Sequence, residues 1–157
     1  MDAFNAHWDA RIEARFAQEI PLKHGALQLV QILAASGYGM AVATSTKTST
    51  ARTHLARAGL LPYIRDVIGG DLVERGKPYP ETYHKAAALL GLTASQCIAF
   101  EDSETGTRAA LASGALTVQI PDLVAPSDDL ISHGHIIAPT LLEGAITAGL
   151  IKPLASE

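Results

Sequence analysis

One cysteine, Cys97, stands in a chain of 157 residues, so no internal disulfide can form. Its place inside an apolar run marks it as a small core residue, and a reducing cytoplasm is the expected compartment. Long apolar runs are missing too. No stretch approaches the roughly 20 residues that a membrane span needs, and the opening "MDAFNAHWDARIEARF" has no apolar signal-peptide core. Basic charge is scarce: 12 Lys and Arg against 16 Asp and Glu give a net charge of −4, which leaves no electrostatic footprint for nucleic acid or an acidic membrane surface. Internal repeats, low-complexity blocks and Pro/Gly/Ser linkers are absent, so nothing divides the chain. What remains is 48% hydrophobic and 18% charged, the composition of a globular protein with one sizeable core.

Periodicity organises that core. Residues 2–19 carry Phe4, Trp8, Ile12 and Phe16 at steps of four, one apolar face of a helix. After Pro21 and Gly25, "ALQLVQILAAS" repeats the helical pattern as far as Gly37, and "YGMAVAT" follows as a buried strand. The phrase then recurs. "TSTARTHLARAG" is a helix closed by Gly59, "IRDVIGG" a short strand, and "PETYHKAAALLG" a helix opened by prolines and closed by Gly91. "CIAFED" is a strand, "TGTRAALASG" a helix, "ALTVQI" a strand, "GHIIA" an edge strand and "LLEGAITAG" a last helix. Alternation of this kind, with near-continuous apolar strands, predicts an α/β domain with a parallel sheet covered on both faces. Ligands of such sheets sit beyond the carboxyl ends of the strands.

Three stations stand there. Thr44, Ser45 and Thr46 follow "MAVA" and lead into a helix N-terminus, where phosphate-like anions are favoured; an ordinary N-cap uses the same residues. Lys77 lies between Gly76 and Pro78, ahead of a proline-preset helix, and reads alone as a solvated lysine. Glu101 and Asp102 end "CIAFED", and read alone as a capped turn with Ser103 or Asp102 as the cap. Together, hydroxyls, an ammonium and a carboxylate pair are what phosphoryl transfer requires: donors for phosphate oxygens, a cation for developing charge and hard oxygens for Mg²⁺. His133 and His135, set one residue apart on one face of a strand, have no evident third ligand and read as surface groups. Arg108 reads as a solvated helix-face residue.

These stretches resemble the haloacid dehalogenase superfamily, within it the phosphatases and phosphomutases similar to β-phosphoglucomutase and phosphoglycolate phosphatase. "MAVATST" looks like the family's second motif, "RGKPYPETY" its third and "FEDSETGTRAALASGA" its fourth; the likeness runs from about residue 20 to about residue 125. The resemblance implies a Rossmann-like three-layer core and an Mg²⁺-dependent phosphomonoester hydrolase acting on a phosphorylated small molecule. It assigns Thr44 and Ser45 to phosphate binding, Lys77 to stabilising the nucleophile and phosphoryl group, Thr44 and Lys77 to the catalytic set, and Glu101 and Asp102 to the metal. It also implies a division into residues 1–20, a remnant of a helical cap, and residues 21–157, an incomplete core.

The family's opening motif, D-x-D-G-T after an apolar strand, supplies the nucleophile and the general acid/base. None of Asp2, Asp9, Asp66, Asp71, Asp102, Asp122, Asp128 or Asp129 has that setting. By family architecture the missing strand lies at the centre of the sheet, between "CIAFED" and "MAVAT". The expectation is therefore a truncated phosphatase, inactive as this chain alone, with a phosphate- or protein-binding pseudoenzyme as the alternative. The two buried strand edges left unpaired would close on each other, pair across a homo-oligomer, or mark a fragment of a longer protein.

Overall fold

The computed structural model describes residues 20–153. The apolar face on Phe4, Trp8, Ile12 and Phe16, and the cap remnant assigned to residues 1–20, lie outside those residues apart from Ile20. From there, α1 (Ala26–Ala35), β1 (Ala41–Ala43), α2 (Thr48–Arg57), β2 (Asp66–Ile68), α3 (Glu81–Leu89) and β3 (Ile98–Glu101) follow in order. They are succeeded by α4 (Glu104–Ser113), β4 (Leu116–Gln119), α5 (Asp128–Ile131), β5 (Ile136–Ile137) and α6 (Leu141–Thr147). The glycines read as helix stops, Gly37, Gly59 and Gly91, act as such, and Gly114 does the same. All four take positive φ just past a helix, a region that L side chains avoid.

Among the described residues all strand pairs are parallel, and they form two sheets. β1 pairs with β2 in the register Val42↔Val67, while β3, β4 and β5 form a second sheet in which Phe100 sits beside Val118 and Val118 beside Ile136. β1 and β3 do not pair, so the expected alternative in which these two strands close on each other is corrected. Paired strands lie about 4.8 Å apart, whereas a cavity of about 610 Å³ is lined here by Val42 and Ala43 on one side and by Phe100 and Glu101 on the other.

Helices join what the backbone leaves apart. Successive residues of a strand serve opposite faces: Ala99 packs with Ala110, Ala115 and Tyr83 on one side, and Phe100 packs with Leu29, Leu33 and Ala145 on the other. The result is a three-layer arrangement, with α3 and α4 over one face and α1 and α6 over the opposite one. Leu29 and Leu33 are 4% and 7% exposed and pack with Met40, next to β1, as well as with Phe100 of β3. Each such buried leucine contributes about 1.5–3 kcal/mol, so this layer ties both sheets to one core.

Three smaller expectations change. Cys97 is only half-buried, with its Sγ 3.4 Å from the Thr93 carbonyl, because it precedes β3 instead of lying within it. Arg108 is no free surface group: it pairs with Glu104 at 2.8 Å and with Asp129 at 2.7 Å, tying α4 to α5. His133 and His135 precede β5 and are not on a strand face, and only His133 is exposed. His135 is half-buried, with its Nε2 2.8 Å from the Oε1 of the fully buried Gln119.

Candidate active site between the two sheets

The cavity opens at the carboxyl ends of β1 and β3, where all three stations meet. Thr44, Ser45, Lys77, Glu101, Asp102 and Ser103 line it, together with Lys23. Residues 33 and 57 positions apart in the chain thus reach one volume because parallel strands deliver their carboxyl ends to the same side.

The hydroxyl station is held by close backbone packing. Thr44 continues β1 by donating its N–H to the Ile68 carbonyl at 3.0 Å, and its hydroxyl oxygen accepts the Thr46 N–H at 3.1 Å. Glycine at 69 and 70 makes this turn feasible: a Cβ at Gly69 would meet the Thr48 backbone nitrogen, and one at Gly70 the Ser45 carbonyl oxygen. Asp71 closes the same corner by accepting from the Thr48 backbone N–H at 2.6 Å and from its hydroxyl at 2.7 Å. Those bonds, the backbone one foremost, hold its carboxyl below the usual range.

Lys77 bridges the sheets. Its ammonium donates to the Ala43 carbonyl at 3.1 Å on β1 and to Glu101 Oε1 on β3, and the two side chains are only 10% and 8% exposed. An ammonium has three protons to donate. Among the described residues two are so engaged, which leaves one for the cavity that Lys77 lines.

The loop that delivers Lys77 is tethered by Glu81, the first residue of α3. Its carboxylate accepts the Glu74 N–H at 3.0 Å and the Arg75 N–H at 2.8 Å, and it pairs with Lys85 one turn on at 2.8 Å. The Arg75 guanidinium lies 3.6 Å from the centre of the Tyr79 ring, a cation–π contact across the same loop. The Lys77–Pro78 peptide bond is cis. Lys85, then the two backbone donors, bring the Glu81 carboxyl down to about 2 from an ordinary 4.5. A depressed carboxyl stabilises the fold fully above its unfolded value and loses that contribution as pH falls through its folded value. The melting temperature of Glu81→Gln should therefore lie below that of the unsubstituted protein at neutral pH, and the gap should close as pH falls from about 4.5 to about 2. A gap independent of pH would show that the carboxylate charge is not what ties the loop.

Glu101 is the most heavily bonded member of the site. Its Oε1 takes Lys77 and, at 2.6 Å, the Tyr83 hydroxyl; its Oε2 takes the Asp102 N–H at 3.2 Å and the Ser103 hydroxyl at 3.3 Å. Burial, and then the facing Glu101 carboxylate, push the Tyr83 phenol well above its ordinary range, so it stays a hydrogen-bond donor. Asp102 is exposed at the cavity. Ser103 caps α4, its Oγ accepting the Gly106 N–H at 3.1 Å. Gly106 belongs to the fourth-motif likeness, whereas Tyr83, Gly69 and Gly70 have no role assigned from the sequence, although Tyr83 closes "RGKPYPETY" and the two glycines close "VIGG".

Among the described residues no three His, Cys, Asp or Glu side chains form a metal-binding group, and no helix is long and apolar enough to cross a membrane. The exposed Asp102 carboxylate, with the Glu101 charge beside it, fits Mg²⁺ all the same, since that ion is commonly held by one or two carboxylates with water and phosphate oxygens completing its shell.

The haloacid dehalogenase-like hydrolase model matches residues 2–114. Hexitol phosphatase A of Escherichia coli is 33% identical over 129 residues, covering 78% of this chain and 58% of that protein. Protein CbbY of Rhodobacter capsulatus is 33% identical over 131 residues, covering 82% of this chain and 58% of its own length. A haloacid dehalogenase family hydrolase from Deinococcus radiodurans, solved with bound phosphate and sodium, superposes with a TM-score of 0.72 at 29% identity, over 83% of this chain and 62% of that one. The chain spans a little over half the length of the two curated relatives. With the family model matched over most of its length and the fold shared, the chain belongs to the haloacid dehalogenase-like hydrolases.

Proposed function

We propose that this chain carries the phosphate- and metal-binding side of a phosphomonoester hydrolase site for phosphorylated small molecules. The observation that carries this reading is the Lys77 ammonium, held between the Ala43 carbonyl and Glu101 at the mouth of a cavity also lined by Thr44, Ser45 and Asp102. In this reading Thr44 and Ser45 donate their hydroxyls to non-bridging phosphate oxygens. Lys77 directs its remaining proton to the same group and offsets charge that develops on it. Asp102, open to the cavity, would hold Mg²⁺, with the charge of Glu101 beside it, since the oxygens of Glu101 are taken by four donors; the ion when bound supplies further neutralisation of phosphoryl charge.

The attacking carboxylate has a defined place to come from. β1 and β3 each present an unpaired edge to the cavity among the described residues, and the lining contains no aspartate besides Asp102. A further parallel strand seated between those edges would place its carboxyl end beside Lys77, so an aspartate there completes the reaction centre. Such a strand can belong to a longer form of the protein or to a second chain.

Calorimetric titration of the 157-residue chain with inorganic phosphate tests the reading. Binding strengthened by Mg²⁺ and weakened about tenfold by Thr44→Val, as expected for a lost hydrogen bond to a charged group, is the expected result. No phosphate binding at millimolar concentration, with or without Mg²⁺, would overturn it. Hydrolysis of an aryl phosphate by the same chain would further show that the nucleophile is already supplied.

A further inference from the structure

The Lys77–Glu101 pair has to be held in one geometry inside a gap that no strand among the described residues crosses, and one residue outside the recognised stations touches both partners. Tyr83, in the first turns of α3, donates its hydroxyl to Glu101 Oε1 at 2.6 Å, and its ring centre lies 5.1 Å from the Lys77 ammonium. The ring is rooted in the core, packed against Ala99, Ala110 and Ala115. We propose that Tyr83 is a positioning residue that fixes the Lys77–Glu101 pair in the orientation that receives phosphate, acting through these two groups and not on the substrate itself.

The reasoning rests on what each bond leaves free. Glu101 Oε1 receives two donors, Lys77 and Tyr83, and its Oε2 receives two more from the segment that follows β3. The carboxylate plane is then fixed by donors on both oxygens, and Lys77 is confined between that plane, the Ala43 carbonyl and the face of the Tyr83 ring. Without the phenol hydroxyl the ring would still fill its place in the core, but Oε1 would be held by Lys77 alone. A long, flexible lysine is a weaker constraint than a ring with two soft torsions. The pair would then swing as a unit, and the lysine would leave the site it shares with Ala43.

This inference takes the roles of Lys77 and Glu101 from the proposed function, but one arm of its test needs no ligand. Acetylation of lysines by acetic anhydride, read by mass spectrometry on the folded chain, reports how protected each ammonium is. Tyr83→Phe should raise the rate at Lys77 by about tenfold, the scale of one hydrogen bond to a charged acceptor, while Lys47 and Lys85, both exposed, react as before. A general loosening of the fold would raise protected and exposed sites together. In the second arm, the Mg²⁺-dependent affinity for inorganic phosphate should fall by a similar factor in Tyr83→Phe. Unchanged protection of Lys77 would overturn the inference whatever the second arm shows. If the unsubstituted chain bound no phosphate, the proposed function would fall, and the acetylation result alone would decide whether Tyr83 orders the pair.

Discussion

Lys77→Ala is expected to destabilise the protein by about 3 kcal/mol and to abolish Mg²⁺-dependent phosphate binding at the same time. The first effect comes from Glu101. Its side chain is 8% exposed, and removing the lysine leaves a carboxylate in a poorly solvated place with its cationic partner gone and neutral donors alone remaining. The loss belongs to the orphaned charge and is not the net worth of the pair. Replacing both partners by apolar groups, as in Lys77→Met with Glu101→Leu, should therefore recover part of the stability while binding stays lost, the rest being the cost of the Tyr83 hydroxyl left without its acceptor. Urea unfolding of the two single variants and the double variant gives the coupling directly. Additive losses would mean that the pair does not act as a unit. Recovered stability together with recovered phosphate binding would remove Lys77 from the site.

That pair also shows where sequence reading succeeds and where it stops. The order of strands and helices, the glycines that end the helices and the three stations at the strand ends were legible because each is a local pattern: a period of two or 3.6, a left-handed glycine, a proline at a helix start. Which side chains then meet was not legible. Lys77 and Glu101 lie 24 residues apart, and nothing in either local pattern says that the lysine would span two sheets to reach both Glu101 and the Ala43 carbonyl. Arg108 looked solvated because its partner Asp129 is 21 residues away on another helix. His135 looked like a surface group because Gln119, a polar residue in an apolar strand, gave no hint of which neighbour it would take.

Glycines at close approaches belong to the same class, and Gly106 is the sharpest case. In the first turn of a helix, Gly→Ala ordinarily stabilises by about 0.5–1 kcal/mol through helix propensity. Here the sign should reverse. A Cβ at Gly106 would fall on the Glu101 carboxyl group, and that group cannot swing aside cheaply because Lys77, Tyr83, Ser103 and the Asp102 N–H all hold it. Gly106→Ala must either push the carboxylate off its donors or shift α4 away from β3. Overpacking of this kind destabilises by about 1–3 kcal/mol, and displacing Glu101 would release Lys77 as well, so phosphate affinity should fall by about tenfold or more. Shortening the acid relieves the clash without removing its charge. The double variant Gly106→Ala with Glu101→Asp should thus be more stable than the sum of its parts predicts, a coupling that urea unfolding can read. If Gly106→Ala instead gained the stability of an ordinary helix substitution and bound phosphate unchanged, the Glu101 carboxylate would be free to move, and the ordered Lys77–Glu101 pair at the centre of the proposed site would be refuted.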